Sequence, residues 1–160
     1  MKYILGVLVM LLASTAGFAQ AVNDIDRVAY YQAIQQDKKD LVNKELKQLK
    51  TVSPKFRDAF EGALIMKKAG LGGNPLQKLN LFKEGHTKLE AAIKKEPNNA
   101  EFRFLRLMIQ ENAPGILGYK DNLDADSEYV RKSYKTLPEE AQKAIVDYSK
   151  KSKVLKLQVS

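Results

Sequence analysis

The chain contains no cysteine and one histidine, His86. Without cysteine there is no disulfide, no thiol nucleophile, no thiolate-bound zinc and no acceptor for a bacterial lipid anchor. A histidine-dependent catalytic set would have to use His86, and nothing in the sequence places a serine and a carboxylate around it. One histidine also falls short of the several ligands that a zinc site needs. Strand signals are equally scarce, because β-branched residues are few and never alternate over a useful length. Beyond the N-terminal segment no apolar run is long enough to span a bilayer, so no transmembrane helix is expected in the mature chain.

Two stretches invite a test for ligand motifs, and both fail it. The loop Gly70-Leu71-Gly72-Gly73-Asn74-Pro75 is glycine-rich. It lacks the Lys-Ser/Thr that would handle phosphate and Mg²⁺ in a P-loop, and no strand precedes it as a dinucleotide fingerprint requires. It reads as a connection between helices. The cluster Asp121 to Glu128 suggests a calcium loop, which needs a central glycine and a glutamate at its last position. Starting at Asp124, these places hold Tyr129 and Lys135; starting at Asn122, they hold Ser127 and Ser133. The carboxylates instead suit the first turn of a helix, where the macrodipole favours them. General acid–base chemistry needs a positioned titratable pair, and helix geometry brings none together. The expectation is a protein that is not an enzyme, with no cofactor, no metal and no catalytic residue.

What is present begins with an export signal. Met1-Lys2 carries a positive charge, Ile4 to Leu12 is apolar apart from Gly6, and Ala13 to Ala19 is rich in small residues. That order is the order of a secretory signal peptide. Residues 1–19 are therefore expected to be removed, with cleavage after Ala19 or Ala21, leaving an exported protein, periplasmic or extracellular, that is not a lipoprotein. The remaining length suits one helical domain over residues 22–150, followed by a basic tail over residues 151–160.

Charge is strongly one-sided. The chain has 27 Lys and Arg, one of them Lys2, against 19 Asp and Glu. Most of the excess is lysine, concentrated at Lys143, Lys150, Lys151, Lys153 and Lys156. A basic exported protein can meet anionic lipid headgroups, cell-wall polymers or acidic proteins; the sequence gives no reason to expect nucleic acid.

Helix signals recur along the chain. Asn23-Asp24 precedes a periodic run that predicts helix over Asp24 to Gln36. Asp37 suits the cap of a second helix carrying Leu41, Val42, Leu46, Leu49 and Val52. Ser53-Pro54 opens a third that ends at Gly70. A fourth starts near Pro75 and runs to Glu96. Its stripe of Leu79, Phe82, His86, Leu89 and Ile93 puts His86 on the apolar face, as a structural residue with a hydrogen-bond partner. Pro97-Asn98-Asn99 breaks the chain before a fifth helix with Phe102, Phe104, Leu105, Leu107, Met108 and Ile109. A helix apolar over most of its surface belongs in the centre of a domain. Its only polar stripe is Arg103, Arg106 and Gln110. Asn112 suits its C-terminal end, and Ile116, Leu117 and Tyr119 are expected to lie back on the core. A sixth helix carries Leu123, Tyr129, Val130, Tyr134 and Leu137, and Pro138-Glu139-Glu140 opens a seventh. The tail from Lys150 is open between helix, short strand and frayed end.

Pro54, Pro97 and Pro138 each begin a helix, 43 and 41 residues apart. Such spacing of helical hairpins is typical of α-solenoids. Phe82 to Asn99 also resembles the second helix of a tetratricopeptide repeat, with small Gly85, large Leu89, small Ala92 and the closing Pro97-Asn98-Asn99. The next helix departs from that family, placing Arg103, Arg106 and Gln110 where it has apolar residues and Leu107 where it usually has glycine. EFRFLRL…NAPGILGY is further similar to a recurrent segment of uncharacterised secreted bacterial proteins, which implies no particular activity. Together these features imply an all-α domain of six to seven helices in antiparallel, TPR-like hairpins. The expected role is non-catalytic binding of a protein or peptide through a groove lined by Arg103, Arg106 and Gln110. An anionic envelope component held by the lysine surface is the alternative.

Overall fold

The computed structural model describes residues 25–157. The N-terminal segment expected to be cleaved lies outside them. Among the described residues the chain forms seven α-helices and no strand: α1 (Arg27–Gln35), α2 (Lys39–Leu49), α3 (Pro54–Gly70), α4 (Pro75–Lys95), α5 (Ala100–Asn112), α6 (Leu123–Ser133) and α7 (Glu139–Ser149). Short 3-10 turns, Gly115–Leu117 and Tyr134–Thr136, interrupt the later connections.

Local chemistry explains most of the boundaries. Pro54 and Pro75 occupy the first turns of α3 and α4, where a missing N–H costs nothing. At α4, Asn74 and Gln77 form a reciprocal capping box. That box satisfies the helix start that follows the glycine loop, in which Gly72 and Gly73 adopt φ of 136° and 110°. At α5, Asn99 accepts hydrogen bonds from the backbone of Glu101 and Phe102. Two caps differ from the sequence reading. Asp26 caps α1 by accepting from Ala29, and the Asn23-Asp24 pair lies outside the described residues. Asp37 does not cap α2; its carboxylate turns to Lys67 on α3 at 2.6 Å, and Lys38 holds the cap position.

One apolar cluster joins all seven helices. α5 runs through it, with Leu105 fully buried and every residue from Phe104 to Gln110 inside. Aromatic rings link α1, α3 and α5: Tyr30 meets Phe60 edge-on at 4.9 Å, and Phe60 meets Phe102 at 6.1 Å. The Tyr30 hydroxyl donates to the Phe60 carbonyl at 3.0 Å, so its buried polar end is satisfied. On the same helix, Arg27 and Tyr31 both donate to the carboxylate of Glu101 at 2.9 Å.

The tightest helix pair is α3 with α4. A Cβ on Gly62 would lie 2.7 Å from the Gly85 carbonyl oxygen and 2.7 Å from the Leu89 nitrogen. Only glycine permits that approach, which explains a residue otherwise unfavourable inside a helix. α1 packs on α2 and α3 and also meets α7, so the first and last helices touch. As far as residue 157 the tail follows α7 as neither helix nor strand. It folds back on the body, and Leu155 is wholly buried.

Candidate binding groove

Arg103, Arg106 and Gln110 lie on the side of α5 that meets α6. Arg106 is 7% exposed and Asp126 is 0% exposed. Nε and Nη2 of Arg106 donate to the two carboxylate oxygens of Asp126 at 2.7 and 2.9 Å, a paired fork-to-carboxylate contact. Nη1 donates to Glu90 at 2.9 Å, and the other oxygen of Glu90 accepts from the Tyr119 hydroxyl. Burial opposes the guanidinium charge, but the hydrogen bond and charge of Asp126, then those of Glu90, outweigh it and raise its pKa. Burial, reinforced by Glu90, pushes the Tyr119 hydroxyl up as well.

Arg103 is partly exposed. Its Nε donates to the Pro97 carbonyl at 2.7 Å, its Nη1 reaches Asp126 at 3.4 Å, and its guanidinium lies 4.3 Å from the centroid of Tyr129. Gln110, fully buried, donates to Asn122 at 3.2 Å; its own side-chain oxygen has no partner among the described residues. The stripe that the sequence assigns to a groove is therefore turned inward against α6. Asp126 is the physical reason. It lies in the first turn of α6, but its complete burial against Arg106 makes it a counter-charge within the core rather than only a residue matched to the helix dipole.

His86 sits where its stripe places it, 4.7 Å from the Tyr119 ring and 6.2 Å from Phe82. Ring contacts surround it; among the described residues neither ring nitrogen has a hydrogen-bond partner. No three His, Cys, Asp or Glu side chains among the described residues converge on a point that could hold a metal.

A different surface has the shape of a binding site. A groove of about 890 Å³ runs between the C-terminal half of α3, the start of α4, the end of α5 and the tail. None of the three stripe residues lines it. Met66, Met108 and Ile109 are buried and make its floor, while Leu71 and Phe82 are half-buried in its walls. Leu79 and Ile116 stand at its rim, 38% and 95% exposed. Ile116 thus departs from the expected packing on the core. The 3-10 turn after Pro114 faces it outward, while Tyr119 does lie back and is buried.

The wall formed by the tail depends on Glu111. Its carboxylate accepts from the Tyr148 hydroxyl at 2.8 Å, the Ser152 hydroxyl at 2.7 Å and the Lys153 amide at 2.5 Å. Partial burial opposes its charge. The bonds from Ser152, from the Lys153 amide and from Tyr148 more than compensate, holding the carboxyl below the usual glutamate range. Ser152 in turn accepts from the Leu155 amide at 2.8 Å, and Ser127 of α6 donates to the Val154 carbonyl at 2.8 Å. These bonds fix Lys151 and Lys153 beside the groove. No family model, curated protein or solved structure matches the chain.

The groove is only partly legible in the sequence. Leu79 heads the apolar stripe of α4, yet its turn overhangs the groove instead of entering the core. Leu76, one turn earlier, is 67% exposed. Two large apolar residues in the first two turns of a capped helix, and an isoleucine straight after Pro-Gly, are the local signals of an uncovered apolar surface. Its floor comes from α3 and α5, which no local pattern brings together.

Proposed function

We propose that the protein is a non-catalytic, exported interaction module that binds a protein or peptide partner in the groove between α3, α4, α5 and the tail. One observation carries this reading: two large apolar residues, Leu79 and Ile116, remain exposed at the rim of a concave, apolar-floored groove. An uncovered apolar patch with a polar rim is a common mark of an interaction site. The α3–α4 hairpin, with its Gly62–Gly85 contact, is consistent with the TPR-like resemblance of residues 82–99. Stacks of such hairpins commonly bind peptides on a concave face. Export rests on the order of charge, apolar run and small residues at the N-terminus. Protein isolated from its native cells is expected to begin at Gln20 or Val22, and a mature chain beginning at Met1 would refute export.

Site-specific photocrosslinking tests the binding role. A photoreactive residue at position 116, already solvent-facing, should give a discrete adduct with one identified protein in the native cell. The same residue at position 28, where Val28 is 61% exposed on α1 away from the groove lining, serves as the control. Equal adducts from both positions, or none from position 116, would remove the groove from the functional reading.

A further inference from the structure

From the groove's chemistry we infer that its occupant is an acidic amphipathic helix of a partner protein; this inference rests on the binding role proposed above. The floor supplies the first argument. Met66 and Met108 are the only methionines among the described residues, and both lie there. Methionine is flexible and polarizable, and it suits surfaces that must fit the varied side chains of a helical target. The rim supplies the second. A small ligand held inside the groove would leave Ile116, on the outer lip, in water. Covering it requires a body that extends past the edge, as a helix lying along the groove does.

Known modes of peptide recognition narrow the form. Strand addition needs a sheet edge, and the described residues contain no strand. Polyproline recognition uses an aromatic-lined groove, and here Phe82 and Tyr148 are the only aromatic residues in the lining. A helix offering apolar residues at i, i+3, i+4 and i+7 matches a floor of methionine and aliphatic side chains.

Charge selects its sign. Lys67, Lys78, Lys151 and Lys153 surround the groove against only Asp37 and Glu111. Lys67 and Asp37 neutralise each other at 2.6 Å. Glu111 is turned to the tail and Tyr148. The ammonium of Lys151 lies 5.5 Å from the Tyr148 ring centroid, and those of Lys78 and Lys153 have no ion-pair partner among the described residues. The uncompensated charge at the rim is positive, so carboxylates flanking the apolar face of the helix would be steered in and held.

Fluorescence titration of the protein purified from its own cells tests this. The probe is a labelled synthetic helix of about four turns, with leucine at the i, i+3, i+4 and i+7 positions and glutamate elsewhere. It is compared with a lysine-for-glutamate version and with a scrambled peptide of identical composition. The acidic amphipathic helix should bind about tenfold tighter than either control. Lys78→Gln with Lys153→Gln should weaken binding about tenfold and flatten its salt dependence, and Ile116→Ser with Leu79→Ser should weaken it comparably. Equal binding of the scrambled peptide would overturn the inference in favour of simple polyanion attachment through lysine. Equal or tighter binding of the lysine version would overturn the assigned charge. Absence of binding by all three would remove the helical occupant while leaving an adduct at position 116, and with it the binding role, intact.

Discussion

The carboxylate of Glu111 receives hydrogen bonds from α7 and from two residues of the tail, and thereby holds one wall of the groove. Glu111→Gln keeps the shape but removes the charge that these donors favour. Because the folded-state pKa lies below the ordinary glutamate value of 4.5, this carboxylate adds stability above that pH and loses it as pH falls through the folded pKa. Urea melts should show a shallower acid-side decline for Glu111→Gln than for the unaltered protein. Identical pH profiles would show that the charge on Glu111 does not hold the tail. Arg106 gives the opposite case, a charge inside the core. Arg106→Gln leaves the buried Asp126 with only its longer contact to Arg103 and should cost about 3–5 kcal/mol in denaturant melts. Gln110 is less securely matched, with one hydrogen bond and an unpaired oxygen. Gln110→Met should therefore be neutral or stabilising by up to about 1 kcal/mol, since replacing a poorly satisfied buried amide removes its desolvation cost. A clear loss of stability would indicate a polar partner for that oxygen.

Among the elements, α3 and α4 make the sharpest prediction. Gly62→Ala would ordinarily strengthen a helix by about 1 kcal/mol. Here the new methyl would press on the backbone of Gly85 and Leu89, so a net loss of about 1–3 kcal/mol is expected, the usual cost of overpacking. Greater thermal stability in Gly62→Ala would show that the helices do not meet so closely. The central helix should be as sensitive: Leu105→Ala should lose about 2–5 kcal/mol, the range for a fully buried leucine. Element identity was largely legible in the sequence, because each signal was local. Pro54, Pro75 and Pro138 mark helix starts that the structure reproduces within a residue, whereas Pro97 lies three residues ahead of α5, which Asn99 caps. Long-range pairing was less legible. Asp37 reads as a cap in the sequence, but its partner is Lys67, 30 residues away, and the close approach of Gly62 to Gly85 has no local signal. The arginine stripe, read from the sequence as a groove lining, is turned inward because Asp126 on α6 comes within reach of Arg106.

At the scale of the whole molecule, contact between α1 and α7 ties the ends of the domain together. One cluster spanning every helix should melt in a single cooperative transition, with secondary-structure and tertiary probes superimposing. Separate transitions for the two halves would contradict a shared core. The groove belongs to this scale too, since its lining comes from distant parts of the chain and exists only when the tail is docked. Its role can be set directly against that of the stripe by the yield of partner adduct from a photoreactive residue at position 79, measured in two backgrounds. In Ile116→Ser with Lys153→Gln, which alters the groove, the yield should fall about tenfold. In Arg103→Gln, which removes the exposed arm of the stripe, it should remain unchanged. Loss of the adduct in Arg103→Gln, with full yield in the groove variant, would contradict the groove as the binding surface.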